Sequence, residues 1–83
     1  MEIELKDTVA LMNSDDYKKR FKAEYLQLKI RITKLKAMLD KWEKGELPFV
    51  PTCPRSLLER QLSAMNNYIG ALKHRAKLED IQL

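Results

Sequence analysis

Cationic and aromatic side chains near the ends of two predicted helices are the residues of this chain best suited to bind an anion. Arg55 and Arg60 lie at the start of one helix, where backbone N–H groups without an intrahelical partner attract negative charge. Thr52 adds a hydroxyl group and Phe49 an aromatic ring just before them. Together these groups could hold the phosphate and base of a nucleotide. The alternative is a capped helix end with two ordinary surface arginines.

A second cluster of the same kind lies at the start of the other predicted helix. Tyr17, Lys18 and Arg20 are close neighbours there. An antiparallel arrangement of the two helices would bring them near His74 and Arg75. We expect the phosphates of an anionic ligand to contact one of these two clusters, with the aromatic ring of that cluster stacking on a base.

Residues for catalysis are nearly absent. The chain has one cysteine, Cys53, and one histidine, His74, which belong to opposite ends of the expected helix pair and are not expected to act together. The sequence shows no glycine-rich phosphate loop, metal-ligand cluster or paired carboxylates. We therefore predict a protein that is not an enzyme and has no metal ion or cofactor. A lone cysteine excludes an intrachain disulfide and favours a reducing compartment, the cytoplasm.

Positive charge is concentrated in one stretch of the chain. The whole sequence has 16 Lys and Arg against 12 Asp and Glu, for a net charge of +4. Residues 1–16 carry five acids and one lysine, whereas residues 17–37 carry eight bases and one glutamate. Lys22, Lys29 and Lys36 recur every seven residues, so they form a row that either binds a polyanion or keeps a helix edge in water. The modest total charge argues against duplex nucleic acid as a partner, and no apolar run reaches the roughly 18 residues of a membrane span.

Two long helices are predicted to position these residues. Residues 14–44 contain neither Pro nor Gly and predict the first helix, with Asn13 or Ser14 as its N-cap and Gly45 just after its end. Residues 54–80 predict the second helix, after a connector that contains three prolines.

Apolar residues in each predicted helix recur in alternating steps of three and four, the spacing of a coiled-coil seam. Two such helices with a short connector pack antiparallel. The predicted fold class is therefore all-α, an antiparallel two-helix hairpin with a short N-terminal arm or helix. The seam residues are Phe21, Tyr25, Leu28, Ile32, Leu35, Leu39 and Trp42 in the first helix and Leu58, Leu62, Met65, Ile69, Leu72 and Ala76 in the second, with Leu57, Ala64, Tyr68 and Ala71 widening the second seam.

A second apolar stripe predicts that the first helix is buried on two sides. A chain of 83 residues is marginally stable alone, so we predict a homo-oligomer that packs through this stripe. Gly70 of the second helix would allow another chain to approach closely. We divide the chain into an N-terminal arm at 1–13 and a hairpin domain at 14–83. The arm is expected to be a short helix or to dock on a neighbouring subunit. The alternative to the homo-oligomer is that this arm covers the stripe within one chain. The stripe consists of Ala23, Leu26, Ile30, Thr33 and Ala37.

The pattern CP..LLE.Q..AM..Y, read over residues 53–68, carries a family resemblance. With it, residues 16–83 resemble a family of small helical proteins of tailed phages, including crAss-like phages. The other segments that carry the resemblance are 16–20, 24–29, 45–54 and 72–76.

More distantly, the expected hairpin is similar to the helical hairpin domain of phage anti-CBASS and anti-Thoeris sponges, whose turn before the second helix resembles residues 54–59. Those proteins form oligomers and sequester cyclic nucleotide immune signals without cleaving them. The resemblance implies a counter-defence protein in the host bacterial cytoplasm that binds an anionic nucleotide second messenger between subunits. The alternatives are an inhibitor that binds a host defence nuclease or effector, as an anti-CRISPR does, through its basic row, and a structural adaptor without a ligand.

Overall fold

The computed structural model describes residues 3–83, which form an all-α structure and confirm the predicted class. A 3-10 helix at Leu5–Thr8 leads into the short helix α1, Val9–Met12. Two long helices follow, α2 at Tyr17–Glu43 and α3 at Arg55–Leu78. No helix in this part of the chain is long and apolar enough to cross a membrane.

Helix α2 begins three residues later than the sequence predicted. Its N-cap is Asp16, whose carboxylate accepts a hydrogen bond of 2.9 Å from the backbone N–H of Lys18. Ser14, one of the predicted caps, instead accepts a hydrogen bond of 3.0 Å from the backbone N–H of Asp16. The side chains of Ser14 and Asp16 thus accept hydrogen bonds from the N–H groups of Asp16 and Lys18, which would have no partner at the start of a helix. The helix therefore begins only after this turn.

The end of α2 follows the prediction. Gly45 has a φ of +70°, in the left-handed region where a side chain would be strained. Its N–H donates to the carbonyl oxygen of Trp42 over 3.0 Å, and the N–H of Glu46 donates to that of Lys41 over 2.8 Å. This pair of bonds is a Schellman motif, which satisfies the last carbonyl groups of the helix and directs the chain into the connector.

Helices α2 and α3 pack through the two predicted seams. All seam residues are buried or half-buried. Contacts between the helices run in opposite order along the chain, joining Tyr17 to Glu79 at one end and Glu43 to Arg55 at the other. The four residues expected to widen the seam of α3 are exposed, which corrects that prediction: one helix partner covers only a narrow stripe of α3. They are Leu57, Ala64, Tyr68 and Ala71.

The N-terminal helical turns pack on the outer side of α2 in the same chain. Thr8 is fully buried there, and its hydroxyl donates to the carbonyl oxygen of Leu5 over 2.7 Å. The hydroxyl oxygen of Thr8 in turn accepts a hydrogen bond of 2.9 Å from the amide of Gln27 in α2. Ala23, the first residue of the outer stripe, is only 1% exposed as a result. The N-terminal segment therefore covers part of the stripe within one chain.

The last residues of the chain complete the core. Helix α3 ends at Leu78, and Asp80 takes a positive φ of 56°. This turn lets the N–H of Ile81 donate back to the carbonyl oxygen of Ala76 over 2.8 Å. The side chain of Ile81 is 8% exposed and joins a cluster with Phe21, Leu28, Leu72 and Ala76. The sequence analysis did not identify Ile81, because it lies beyond the periodic part of α3.

We expect Ile81→Ala to lower the free energy of unfolding by about 2–3 kcal/mol, because it removes three buried carbon atoms from the core. For a chain of this size the melting temperature would fall by roughly 10–20 °C. Leu83→Ala is the matched control, since Leu83 is 43% exposed and should change stability little. Equal effects of the two substitutions would show that the C-terminal turn does not dock as described.

Candidate ligand-binding site

The cluster at the N-terminus of α2 forms a closed network with the end of α3. The hydroxyl of Tyr17 donates to Glu79 Oε1 over 2.7 Å, and Arg75 Nη2 donates to the same hydroxyl over 2.7 Å. Arg75 Nε also donates to Glu79 Oε2 over 3.1 Å, and its guanidinium carbon lies 4.8 Å from the ring centroid of Phe21. The predicted approach of Tyr17 and Arg75 is thus seen. Glu79 was missed, although its spacing of four residues from Arg75 is a signal for an ion pair.

The three groups of this network shift one another's pKa values in consistent directions. The hydrogen bond that Tyr17 donates has the largest effect on Glu79 and lowers its pKa. The hydrogen bond and the positive charge of the Arg75 guanidinium lower it further. The hydrogen bond to Glu79 raises the pKa of Tyr17 and that of Arg75. The carboxylate and the guanidinium neutralise each other, so an incoming phosphate would have to displace Glu79 to reach Arg75.

The other two cations of this cluster contact backbone carbonyl groups. Lys18 Nζ donates to the carbonyl oxygen of Asp80 over 3.1 Å, and Arg20 Nη1 donates to that of Ser14 over 2.9 Å. Lys18 therefore holds the turn after α3 against α2, and Arg20 holds the turn that precedes α2. His74, which was expected nearby, is exposed on α3.

At the opposite end of the molecule, Arg55 is held between two carboxylates. Its Nε lies 3.0 Å from Glu59 Oε1 and its Nη2 lies 3.4 Å from Glu43 Oε2. Arg60 is exposed and lies about 140° around the helix from Arg55, given 3.6 residues per turn. The two arginines therefore do not converge on one ligand within a single chain.

The remaining candidates at this end lie at the surface. Pro54 is the N-cap of α3 and gives no side-chain hydrogen bond, and Thr52, which was expected to offer its hydroxyl to a ligand, is exposed before it. Phe49 is 53% exposed and lines a shallow hollow of about 190 Å³ with Trp42 and Pro51. The described part of the chain is 43 Å long, so a small ligand on one chain can contact only one of the two predicted clusters.

A larger groove, which the sequence analysis missed, lies on the outer side of α2. Its volume is about 360 Å³. Ile3 and Glu4 form one wall, and three residues of the predicted outer stripe line the α2 side. Two lysines of α2 also line the groove. The α2 residues are Leu26, Ile30, Thr33, Lys29 and Lys34.

The predicted interface residues have different surroundings in the single chain. Ala23 is buried, Leu26 and Ile30 are half-buried, and Thr33 and Ala37 are exposed. Gly70 is exposed on α3, and no atom lies within 4 Å of the place where a Cβ would be.

The candidate catalytic residues lie apart. Cys53 is exposed before the start of α3. About 28 Å of helix separates Arg55 from His74, so the cysteine and the histidine of one chain cannot form a catalytic pair. Among residues 3–83, no group of three or more His, Cys, Asp and Glu is placed to hold a metal ion.

Comparison with known proteins identifies one family. The Sequestin family model matches residues 15–78, which include all of α2 and α3. No curated protein and no solved structure matches the chain.

The network of Tyr17, Arg75 and Glu79 should make stability depend on pH. The pKa of Glu79 is lower in the folded chain than in the unfolded one. Its ionised form therefore adds to the free energy of unfolding above the ordinary carboxyl pKa, and this contribution is lost as the pH falls through the folded value. We expect the difference in unfolding free energy between wild type and Glu79→Gln, measured with urea, to shrink between pH 7 and pH 3.

Glu46→Gln is the matched control for this measurement, because Glu46 is exposed in the connector and makes no ion pair with any described residue. Its difference from wild type should stay small throughout. A difference for Glu79→Gln that does not vary with pH would contradict the role given to this network.

Proposed function

We propose that this chain, which belongs to the Sequestin family, is a phage counter-defence protein that sequesters an anionic, cyclic nucleotide immune signal in pockets between its subunits without cleaving it. The family name denotes sequestration and supports that part of the proposal directly. The nucleotide and the counter-defence role rest on the resemblance of the hairpin to phage sponges and on the charge distribution of α2.

The observation that carries the proposal is the lysine row of α2. Lys29 and Lys36 are exposed and Lys22 is half-buried. Within residues 3–83, none of the three forms an ion pair with a carboxylate. Arg55 and Arg75 at the two ends of the molecule, in contrast, are paired with glutamates. The row is therefore a cationic surface that an anion can reach without displacing a carboxylate.

Assembly and ligand binding would support each other on this side of the molecule. The exposed end of the outer stripe carries the small side chains of Thr33 and Ala37, which suit close packing against a second copy. Such packing would also bring lysines of two copies together, and like charges repel at short range. Phosphate groups between the copies would neutralise that repulsion. We therefore place the ligand between subunits, with the homo-oligomer formed through the outer side of α2.

Sequestration needs binding alone. A protein that only binds its ligand needs neither a nucleophile nor a general base, which agrees with the separation of Cys53 from His74 within one chain. It must instead be abundant and hold the signal tightly, because each site removes one molecule. A small chain suits that requirement.

The alternative function is inhibition of a host defence nuclease or effector by direct binding. The same row favours it, because Lys22 to Lys36 spans about 21 Å along the helix. An acidic protein surface or a nucleic-acid channel could align with a row of that length.

We expect a cyclic nucleotide to raise the melting temperature of the protein. The panel consists of cyclic di-AMP, cyclic di-GMP, cyclic tri-AMP and cyclic ADP-ribose. A ligand at one hundred times its Kd stabilises a protein by about 2.7 kcal/mol, which corresponds to roughly 10–20 °C for a chain of this size. Chromatography of the ligand recovered after denaturation should return it unchanged. Recovery of a cleaved product would contradict sequestration.

Charge reversal on the row tests whether α2 binds the ligand. Lys29→Glu with Lys36→Glu should abolish the thermal shift, whereas Lys73→Glu with Lys77→Glu, on the exposed side of α3, should retain it. Light scattering of each variant with and without ligand reports the assembly. No shift with any panel member, together with co-purification of a host protein that the row variant loses, would support the inhibitor instead.

A further inference from the structure

The groove on the outer side of α2 has the size of a small-molecule site. Its volume of about 360 Å³ falls within the roughly 300–1,000 Å³ of ligand pockets. It lies where the N-terminal segment meets the middle of α2, between Ile3 and Glu4 on one side and the helix on the other. The N-terminal turns cover the earlier part of the stripe at Ala23, and the later part at Ala37 is open. The groove therefore lies between the covered part and the uncovered part of the same helix face.

The floor of the groove is apolar. Leu26 and Ile30 are one helical turn apart and both are half-buried. They face away from α3, so the hairpin core does not use their remaining apolar surface. A flat, weakly polar group such as a nucleobase could cover that surface and exclude water from it.

Two cations flank this floor. Lys29 and Lys34 both line the groove, and their separation of five residues places them about 140° apart around α2, one at each edge of the stripe. Both side chains are exposed, and neither forms an ion pair with a carboxylate of the described chain. Lys29 Nζ is 6.0 Å from the ring centroid of Tyr25, a distance at the limit of a cation–π contact, so this side chain can turn toward an anion at little cost.

Oxygen acceptors complete the lining. The Thr33 hydroxyl donates to the carbonyl oxygen of Lys29 over 2.9 Å, which leaves its oxygen free to accept a hydrogen bond. Glu4 also lines the groove, and its carboxylate pairs over 3.4 Å with Lys6, which is not part of the lining. An acceptor at this place suits the amino group of a base or a ribose hydroxyl.

We infer that this groove binds one nucleoside phosphate unit of the ligand, with its base on Leu26 and Ile30 and its phosphate held by Lys29 and Lys34. The inference rests on the proposed function and gives it a site. A simple phosphate would leave the apolar floor in water, and a neutral apolar ligand would leave both ammonium groups without a partner. An anion that carries a flat ring satisfies both parts of the lining. None of the seven residues predicted from the sequence to bind the ligand belongs to this site.

Filling the groove tests the inference directly. Ile30→Trp places a large ring on the floor and should abolish binding of the panel nucleotide that gives wild type its largest thermal shift, as measured by calorimetry. Ala64→Trp is the matched control, because it adds the same ring at an exposed position of α3 that lines neither the groove nor the outer side of α2. Its affinity should remain within about twofold of wild type.

A second pair of variants avoids any effect on the core. Lys34→Ala removes one exposed cation of the groove and should weaken binding about tenfold, the value of one charge-assisted hydrogen bond. Lys41→Ala removes an exposed lysine further along α2 and should leave affinity unchanged. Titration should also shift the methyl NMR signals of Leu26 and Ile30. Inorganic pyrophosphate, which lacks a ring, should bind far more weakly than the nucleotide.

The outcomes separate this inference from the proposed function. If wild type binds a panel nucleotide and both Ile30→Trp and Lys34→Ala bind it as tightly, the function stands and the groove site is wrong. If wild type binds no member of the panel, the proposed function and the groove site are both overturned. Loss of binding in the two groove variants, with both controls intact, supports the site.

Discussion

The structure depends on one constraint, which is that α2 carries apolar residues on two faces and must bury both. One face packs on α3, where Phe21, Leu28, Leu72 and Ala76 form the core with Ile81. The other face needs a second partner, and the N-terminal turns supply it in part by covering Ala23. In a simple helix pair the second apolar face of α2 would stay exposed to water, which would lower the stability of the fold.

The charged residues of the described chain fall into two groups, those that form contacts within the fold and those that remain free to bind an anion. The ion pair of Arg55 with Glu43 joins the two long helices at one end, and Tyr17 joins α2 to the Arg75–Glu79 pair at the other. Because these pairs are exposed to solvent, each contributes little to stability. Their carboxylates nevertheless compete with an external anion for Arg55 and Arg75. The lysines along the middle of α2 have no such carboxylate partners in the described chain. These cations along α2 thus face the side of the molecule, whereas the sequence analysis placed the ligand clusters at its two ends.

The uncovered part of the second face links stability to the proposed function. A chain of 83 residues has little core to spare, and leaving apolar surface beside lysines is costly unless something else covers it. A second copy would cover the apolar part, and an anionic ligand would satisfy the charged part. Ligand binding and assembly would then each stabilise the other, which is how a small protein could hold a signal molecule tightly.

The sequence by itself determined the local features. The all-α class, the two seams and the Schellman motif at Gly45 all depend on residues within one or two helical turns, where spacing reports directly on geometry. The start of α2 was misplaced by three residues because Ser14 and Asp16 can each act as a cap, and the sequence does not rank them. Only the tertiary structure decided that the N-terminal turns pack on Ala23, that Ile81 enters the core, that Glu43 pairs with Arg55, and that Tyr17 donates to Glu79. Those outcomes join residues up to 62 positions apart, and no periodic pattern encodes such distances. The groove has the same origin, since its lining comes from two segments that meet only when the chain folds.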